Sequence, residues 1–216
     1  MEFSDQKEYR KAVEKLDEIL KEDPGANNAL LMKGLMYFNI GREEFQKQEY
    51  DKAYNTFREA ATYNPLKPDI YHYLAIIKTQ RKDYEGALRL IDKAIDVEED
   101  AMFLNFKGAI QSELKDDEGA IKTLKRAIEI EPDFITPYSN IASIYMYKAQ
   151  YPEAIEYFDK AINLDEKYSK GHAEKAIMYY KIEKYQDAQA SLEKALEIEP
   201  ENPDYQALKN IIQEKL

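Results

Sequence analysis

The amino-acid sequence predicts an all-α protein, a solenoid of stacked antiparallel helix pairs, and three observations predict it. Small residues recur at Ala53, Ala87, Ala120, Ala154 and Ala188, spaced 34, 33, 34 and 34 residues apart. Each is followed seven residues on by another alanine (Ala60, Ala94, Ala127, Ala161, Ala195), and four are preceded by twelve residues by Ala75, Gly108, Ala142 or Ala176. Between these points apolar residues fall at intervals of three and four, the helical period, and there are only 7 glycines to serve strands and long loops. A fixed period of this size means copies of one supersecondary unit, each burying its apolar face against the next.

Each element has its own warrant. Residues 1–25 form an N-terminal half repeat: around Gln6 to Lys21, Tyr9, Ala12, Leu16 and Ile19 are followed by Pro24, which matches only the second helix of a unit. The chain therefore either starts on a half repeat or is a piece of something longer. Residues 27–66 form repeat 1 with an insertion, because Gly34 to Ala53 spans 19 residues where the other copies span 12. The seven extra residues are placed near Ile40 to Gln46, as added helical turns or as a loop, and an insertion at a loop tip is the expected reading. Repeat 2 covers residues 68–99. There Tyr71, Leu74, Ala75 and Lys78 keep helical spacing, Lys82-Asp83 interrupts, and Tyr84, Ala87, Leu88, Ile91, Ala94 and Ile95 resume it. The alanines belong where two helices cross, since only small side chains permit close approach. Repeats 3, 4 and 5 follow over 101–134, 135–168 and 169–201. Pro65, Pro132 and Pro200 stand just beyond second helices, where proline ends a helix without disrupting it. Residues 202–216 read as a capping helix with Tyr205, Leu208 and Ile212 inward and Lys209 at the small-residue position.

These residues resemble the tetratricopeptide repeat family. That family carries a large residue at position four, leucine and a small residue at seven and eight, and an aromatic at eleven. Alanine follows at twenty, a large apolar residue at twenty-four, alanine at twenty-seven and proline at thirty-two. The fifth copy reads His172, Lys175, Ala176, Tyr179, Ala188, Leu192, Ala195, Pro200; the fourth reads Tyr138, Ile141, Ala142, Tyr145, Ala154, Phe158, Ala161. The third reads Leu104, Lys107, Gly108, Gln111, Ala120, Leu124, Ala127, Pro132. The resemblance covers almost the whole chain and implies a right-handed superhelix. Departures are lysine at position seven (Lys33, Lys107, Lys175) and Glu99 and Glu166 in place of proline. A lysine stem is expected to lie along apolar surface with its amine in water.

Composition narrows the function. With 44% hydrophobic residues the chain has enough apolar surface for an extended core, yet no run approaches the roughly 18 apolar residues of a membrane helix, so no direct membrane insertion is expected. A net charge of −11 disfavours nucleic acid and anionic membranes and favours a neutral-apolar or cationic partner. The opening Met1 to Asp5 lacks the basic and apolar regions of a signal peptide, and a cytoplasmic location is expected. There are no cysteines, hence no disulfides. No catalytic, metal or cofactor constellation is legible, so no enzyme activity and no cofactor are expected. His72 and His172 lie in different repeats; His172 fills a core position and His72 projects to the inner face. Most of the 18 tyrosines occupy core or turn positions.

In the resembling family, the first helix of each repeat lines a concave groove. Carried over position by position, this implies peptide- or protein-binding by Leu31, Leu35 and Phe38 in the first repeat, and by His72, Tyr73 and Ile76 in the second. Met102, Asn105 and Phe106 follow in the third, and Asn140 in the fourth. Tyr73 and Phe106 share one repeat position and are expected side by side, free of the core. The lysines, arginine and asparagines with which chaperone-tail-binding members hold a carboxylate are missing from every window. A scaffold that binds a peptide or protein segment is the expected function. A self-assembling structural protein, joined through the half repeat, and a regulatory or targeting module of a larger enzyme are the alternatives.

Overall fold

The fold was read from a computed structural model, which describes residues 5–216; the opening residues on which the leader expectation rests lie outside them. The described residues form twelve α-helices: α1 (Asp5–Glu22), α2 (Asn27–Gln46), α3 (Tyr50–Tyr63), α4 (Pro68–Gln80), α5 (Tyr84–Val97), α6 (Ala101–Glu113), α7 (Asp117–Ile130), α8 (Ile135–Tyr147), α9 (Tyr151–Leu164), α10 (Ser169–Lys181), α11 (Tyr185–Ile198) and α12 (Pro203–Gln213). The predicted all-α architecture of paired helices is what forms. The chain divides into two compact units at Ile110/Gln111, within α6.

In the first unit the small residues do what their size allows. Ala53, Ala60, Ala75, Ala87 and Ala94 are fully buried, and Phe57, Ile70, Leu74 and Ile77 fill the space between helices. Neighbouring pairs are fixed by polar contacts at recurring positions. The Tyr71 hydroxyl donates to the Pro65 carbonyl at 3.0 Å, closing the junction between α3 and α4. The Asp83 side chain accepts from the Gly86 amide at 2.9 Å and caps α5, using one of the donors a helix start leaves unpaired.

The second unit repeats these devices with its own residues. Ala142, Ala154, Phe158 and Met178 form one core cluster, and Ala176, Ala188, Leu192, Ala195 and Ile212 another. The Tyr138 hydroxyl donates to the Pro132 carbonyl at 2.8 Å. At the equivalent place His172 brings Nε2 within 3.2 Å of the Glu166 carbonyl, so this histidine serves the junction where proline is missing. On α12, Ile212 is buried, Tyr205 and Leu208 are half-buried and Lys209 is exposed. Gln48, Lys82, Lys115, Ala149 and Glu183 hold the turn after α2, α4, α6, α8 and α10, all with φ between 55 and 65°. That conformation, used here by five residues that are not glycine, reverses the chain within the three residues between paired helices.

Two expectations are corrected. The position-seven lysines do not leave their amines in water: Lys33 pairs with Asp17, Lys107 with Asp92 at 2.8 Å, and Lys175 with Asp159. Each aspartate lies on the helix preceding its lysine. At Lys33, burial disfavours the charge, but the Asp17 and Tyr63 oxygens outweigh it and the pKa lies above the usual lysine value.

The seven extra residues form no loop. α2 is a continuous helix of 20 residues, where α4, α6, α8 and α10 have 13 each, and α3 has the ordinary 14. Nor do Ile40 to Gln46 stand outside the repeat, because Gly41 is twelve residues before Ala53 and occupies the small-residue position. A Cβ on Gly41 would lie 2.8 Å from the Phe57 ring. Counted back from α3 the added turns are residues 27–33; counted forward from α1, where Lys33 keeps the position-seven pairing with Asp17, they follow Gly34. Seven residues is close to two turns, so the lengthened helix keeps one face towards both α1 and α3. Glu44 joins all three helices: it is buried and accepts from Gln6 (3.2 Å) and Arg10 (3.4 Å) on α1 and from Thr56 (2.6 Å) on α3.

Candidate binding surface

The first helices of the pairs in the first unit, α2, α4 and α6, carry nine of the ten residues expected to bind. Leu31 and Leu35 lie one helical turn apart on α2 and are 44% and 39% exposed, with Met32 beside them at 53%. Met102 on α6 is 44% exposed. Ile76, Asn105 and Phe106 are half-buried. Asn140 is half-buried on α8 of the second unit and is described with that unit alone.

Two residues expected on this surface belong to the packing beneath it. Phe38 is 5% exposed, with its ring 5.9 Å from Phe57 and 5.8 Å from Tyr73. Tyr73 is half-buried and packs against Phe38, Phe45 at 5.2 Å and Phe57 at 5.0 Å, stacked on the last at 16°. The expectation that Tyr73 stands clear of the core is corrected. Four rings cluster because Phe45 and Phe38 lie seven residues apart on one face of the long α2. Placing the insertion at Ile40 to Gln46 hides Phe45; the interval from Gly41 to Ala53 is the signal in the sequence that finds it.

His72 stands where Tyr73 and Phe106 were expected to meet. Its ring is 5.1 Å from Phe106 and 5.2 Å from Phe103, both edge-on, and 6.2 Å from Tyr73. Burial among these rings pushes its pKa below the ordinary 6.5, against the smaller opposing pull of Asp69 and Asp100. The imidazole is therefore neutral at pH 7, with a nitrogen available to accept a hydrogen bond. The lowered value also links to stability. The unfolded chain takes up the His72 proton first as pH falls, so stability present above 6.5 is lost below it. His72→Phe keeps an aromatic ring and removes the titration. Urea unfolding at pH 7.5 and 5.5 should show a smaller difference for this variant than for the parent chain, and an equal difference would refute the assignment.

Among the described residues no group of three or more histidine, aspartate or glutamate side chains is placed to hold a metal. No described helix is long and apolar enough to cross a membrane.

Comparison with known proteins bears on the whole chain. Three family models, each described as tetratricopeptide repeat, match residues 1–44 and 38–100, 103–134, and 133–201. A TPR repeat-containing protein of Methanocaldococcus jannaschii is 26% identical over 212 residues, which is 94% of this chain and 30% of that protein. A UDP-N-acetylglucosamine–peptide N-acetylglucosaminyltransferase of Giardia intestinalis is 22% identical over 120 residues, 55% of this chain and 8% of that protein. The chain thus spans less than a third of either relative. Among solved structures, YrrB, described as a TPR protein with an unusual peptide-binding site, gives a TM-score of 0.67 at 16% identity, covering 92% of this chain and 99% of its own. PilF of Pseudomonas aeruginosa gives 0.73 at 21% identity, covering 84% and 83%. MamA of Desulfovibrio magneticus gives 0.69 at 22% identity, covering 79% and 97%.

Proposed function

Because the chain belongs to the tetratricopeptide repeat family, we propose that it is a scaffold that holds a peptide or protein segment, and that the inner face of the first unit is where it does so. The observation that carries this reading is the exposure of Leu31, Met32 and Leu35 on α2 and of Met102 on α6, in a unit whose aromatic cluster is already packed. A surface whose support is pre-formed loses little entropy when a ligand arrives. The segment it suits is neutral and carries aliphatic or aromatic anchors, with the neutral His72 ring at its edge. The peptide-binding description of YrrB, a structural neighbour, agrees with this reading. A second reading, a binding module within a longer protein, is favoured by the length of the relatives, of which this chain matches 30% and 8%. The two readings are compatible, since a module binds by the same surface.

A peptide selected from a random library on the intact chain, and chosen to lack aspartate and glutamate, tests the site. Leu31→Ser with Leu35→Ser should weaken its binding by at least about 2 kcal/mol, the scale of an interface hot spot. Unfolding should change little, because both side chains are already partly in water. The pair Lys122→Ala and Glu156→Ala, exposed on α7 and α9 of the second unit, should leave binding intact. Loss in that pair and none in the α2 pair would move the binding surface elsewhere.

A further inference from the structure

We propose that the first unit carries a second docking surface, a cleft between α3 and the α4/α5 pair that takes an acidic peptide segment through the guanidinium of Arg58 and the ammonium of Lys93. The cleft has a volume of about 490 Å³ and shares no residue with the inner face. Its apolar lining is Leu74 and Leu90, its aromatic walls are Tyr54 and Tyr71, and Arg58 and Lys93 are its two cations.

The reason a cation is free here lies in the repeat itself. At three places an aspartate on one helix neutralises a lysine on the next: Asp17 with Lys33, Asp92 with Lys107, Asp159 with Lys175. At the α3/α4 junction the equivalent residues are Arg58 and Leu74. Leu74 is buried and has no charge to offer, so the built-in pair is replaced by a cation facing an apolar residue. Among the described residues the Arg58 guanidinium has neither hydrogen bond nor ion pair. Lys93 has no carboxylate partner either; its amine lies 5.8 Å from the centre of the Tyr71 ring. The second unit shows the contrast. There Lys160, the counterpart of Lys93, is paired with Glu156 at 2.6 Å, whereas the residue equivalent to Glu156 in the first unit is Arg89.

The one carboxylate lining the cleft is Glu59, against two cations. In a chain of net charge −11, an unpaired Arg–Lys couple over apolar surface is a local reversal of sign. At physiological ionic strength charges interact over about 8 Å, so the cleft's own cations govern what enters it, not the distant carboxylates. A guanidinium takes a carboxylate through two parallel N–H bonds. An aspartate or glutamate next to an aliphatic residue satisfies both halves of the site: the acid at Arg58 and Lys93, the aliphatic group on Leu90 between the Tyr54 and Tyr71 walls.

The test is an NMR titration of the intact chain with the blocked tripeptide acetyl-Glu-Leu-Glu-amide and its neutral counterpart acetyl-Gln-Leu-Gln-amide. The acidic tripeptide should shift amides of residues 54–62 and 90–93, and the neutral one should bind at least tenfold more weakly. Arg58→Gln with Lys93→Gln should weaken the acidic tripeptide at least tenfold while thermal unfolding stays unchanged. Three outcomes overturn the proposal: equal binding of the neutral tripeptide, retained binding in the double variant, or the same shifts produced by inorganic phosphate alone. Shifts confined to α2, α4 and α6 also overturn it, and leave the inner-face reading standing.

Discussion

Replacing Phe57 by alanine is expected to cost about 3–5 kcal/mol, the range for truncating a buried phenylalanine. Phe57 is fully buried and central to the aromatic cluster, 5.9 Å from Phe38 and 5.0 Å from Tyr73. Collapse into the vacated space is hindered, because α2 and α3 are already so close that a Cβ on Gly41 would lie 2.8 Å from the ring, and the alanines Ala53 and Ala60 hold α3 close to its neighbours. Urea unfolding would check the value. A loss below about 1 kcal/mol would mean that the ring is not the centre of the first unit's core. The inner-face residues should suffer as well, since Tyr73 and His72 rest on that cluster.

Gly41→Leu is expected to cost roughly 2 kcal/mol. Leucine gains about 0.8–1 kcal/mol over glycine as a helix former, and overpacking a tight contact costs typically about 1–3 kcal/mol and occasionally more. Overpacking prevails here because the first added carbon alone would lie 2.8 Å from Phe57 Cε1 and 2.9 Å from Cδ1. The rest of the leucine needs α2 to move away from α3. Gln46→Leu, at an exposed site five residues on, should change stability by less than about 0.5 kcal/mol. Equal effects at the two positions, by thermal or urea unfolding, would contradict the placing of Gly41 at the helix crossing.

The same glycine shows where sequence reasoning reached its limit. The alanines at twenty and twenty-seven made the helix pairs legible, because a small residue at a crossing is demanded by geometry wherever it occurs. Gly41 met the same demand, twelve residues before Ala53, but Gly34 seven residues earlier met it too. A shift of two turns leaves the apolar face of a helix in place, so the pattern alone does not choose between them. In the structure both glycines are close approaches to α3: a Cβ on Gly41 would meet Phe57, and one on Gly34 would meet Asn64 and the Ala60 carbonyl at the far end of α3.

The lysines at position seven were legible as departures but not as ion pairs. Their aspartates lie on a preceding helix, and the partnership becomes visible only when Asp17, Asp92 and Asp159 are compared as one repeat position. The exposure of the proposed surface was legible at Leu31, Leu35 and Met102. It was not legible at Phe38 and Tyr73, because an aromatic residue on an inner helix covers a ligand or a neighbouring ring according to what stands opposite. Opposite Tyr73 stand Phe45 and Phe57.

The claim that the inner face of the first unit holds a neutral peptide segment is tested most directly by mapping the library-selected peptide on the intact chain by amide-resolved NMR. The predicted result is a set of shifts on α2, α4 and α6 at Leu31, Leu35, Ile76, Met102 and Phe106, lost together in the Leu31→Ser, Leu35→Ser variant. Shifts confined to α3 and α5, or to the second unit, with the same affinity in that variant, would contradict it.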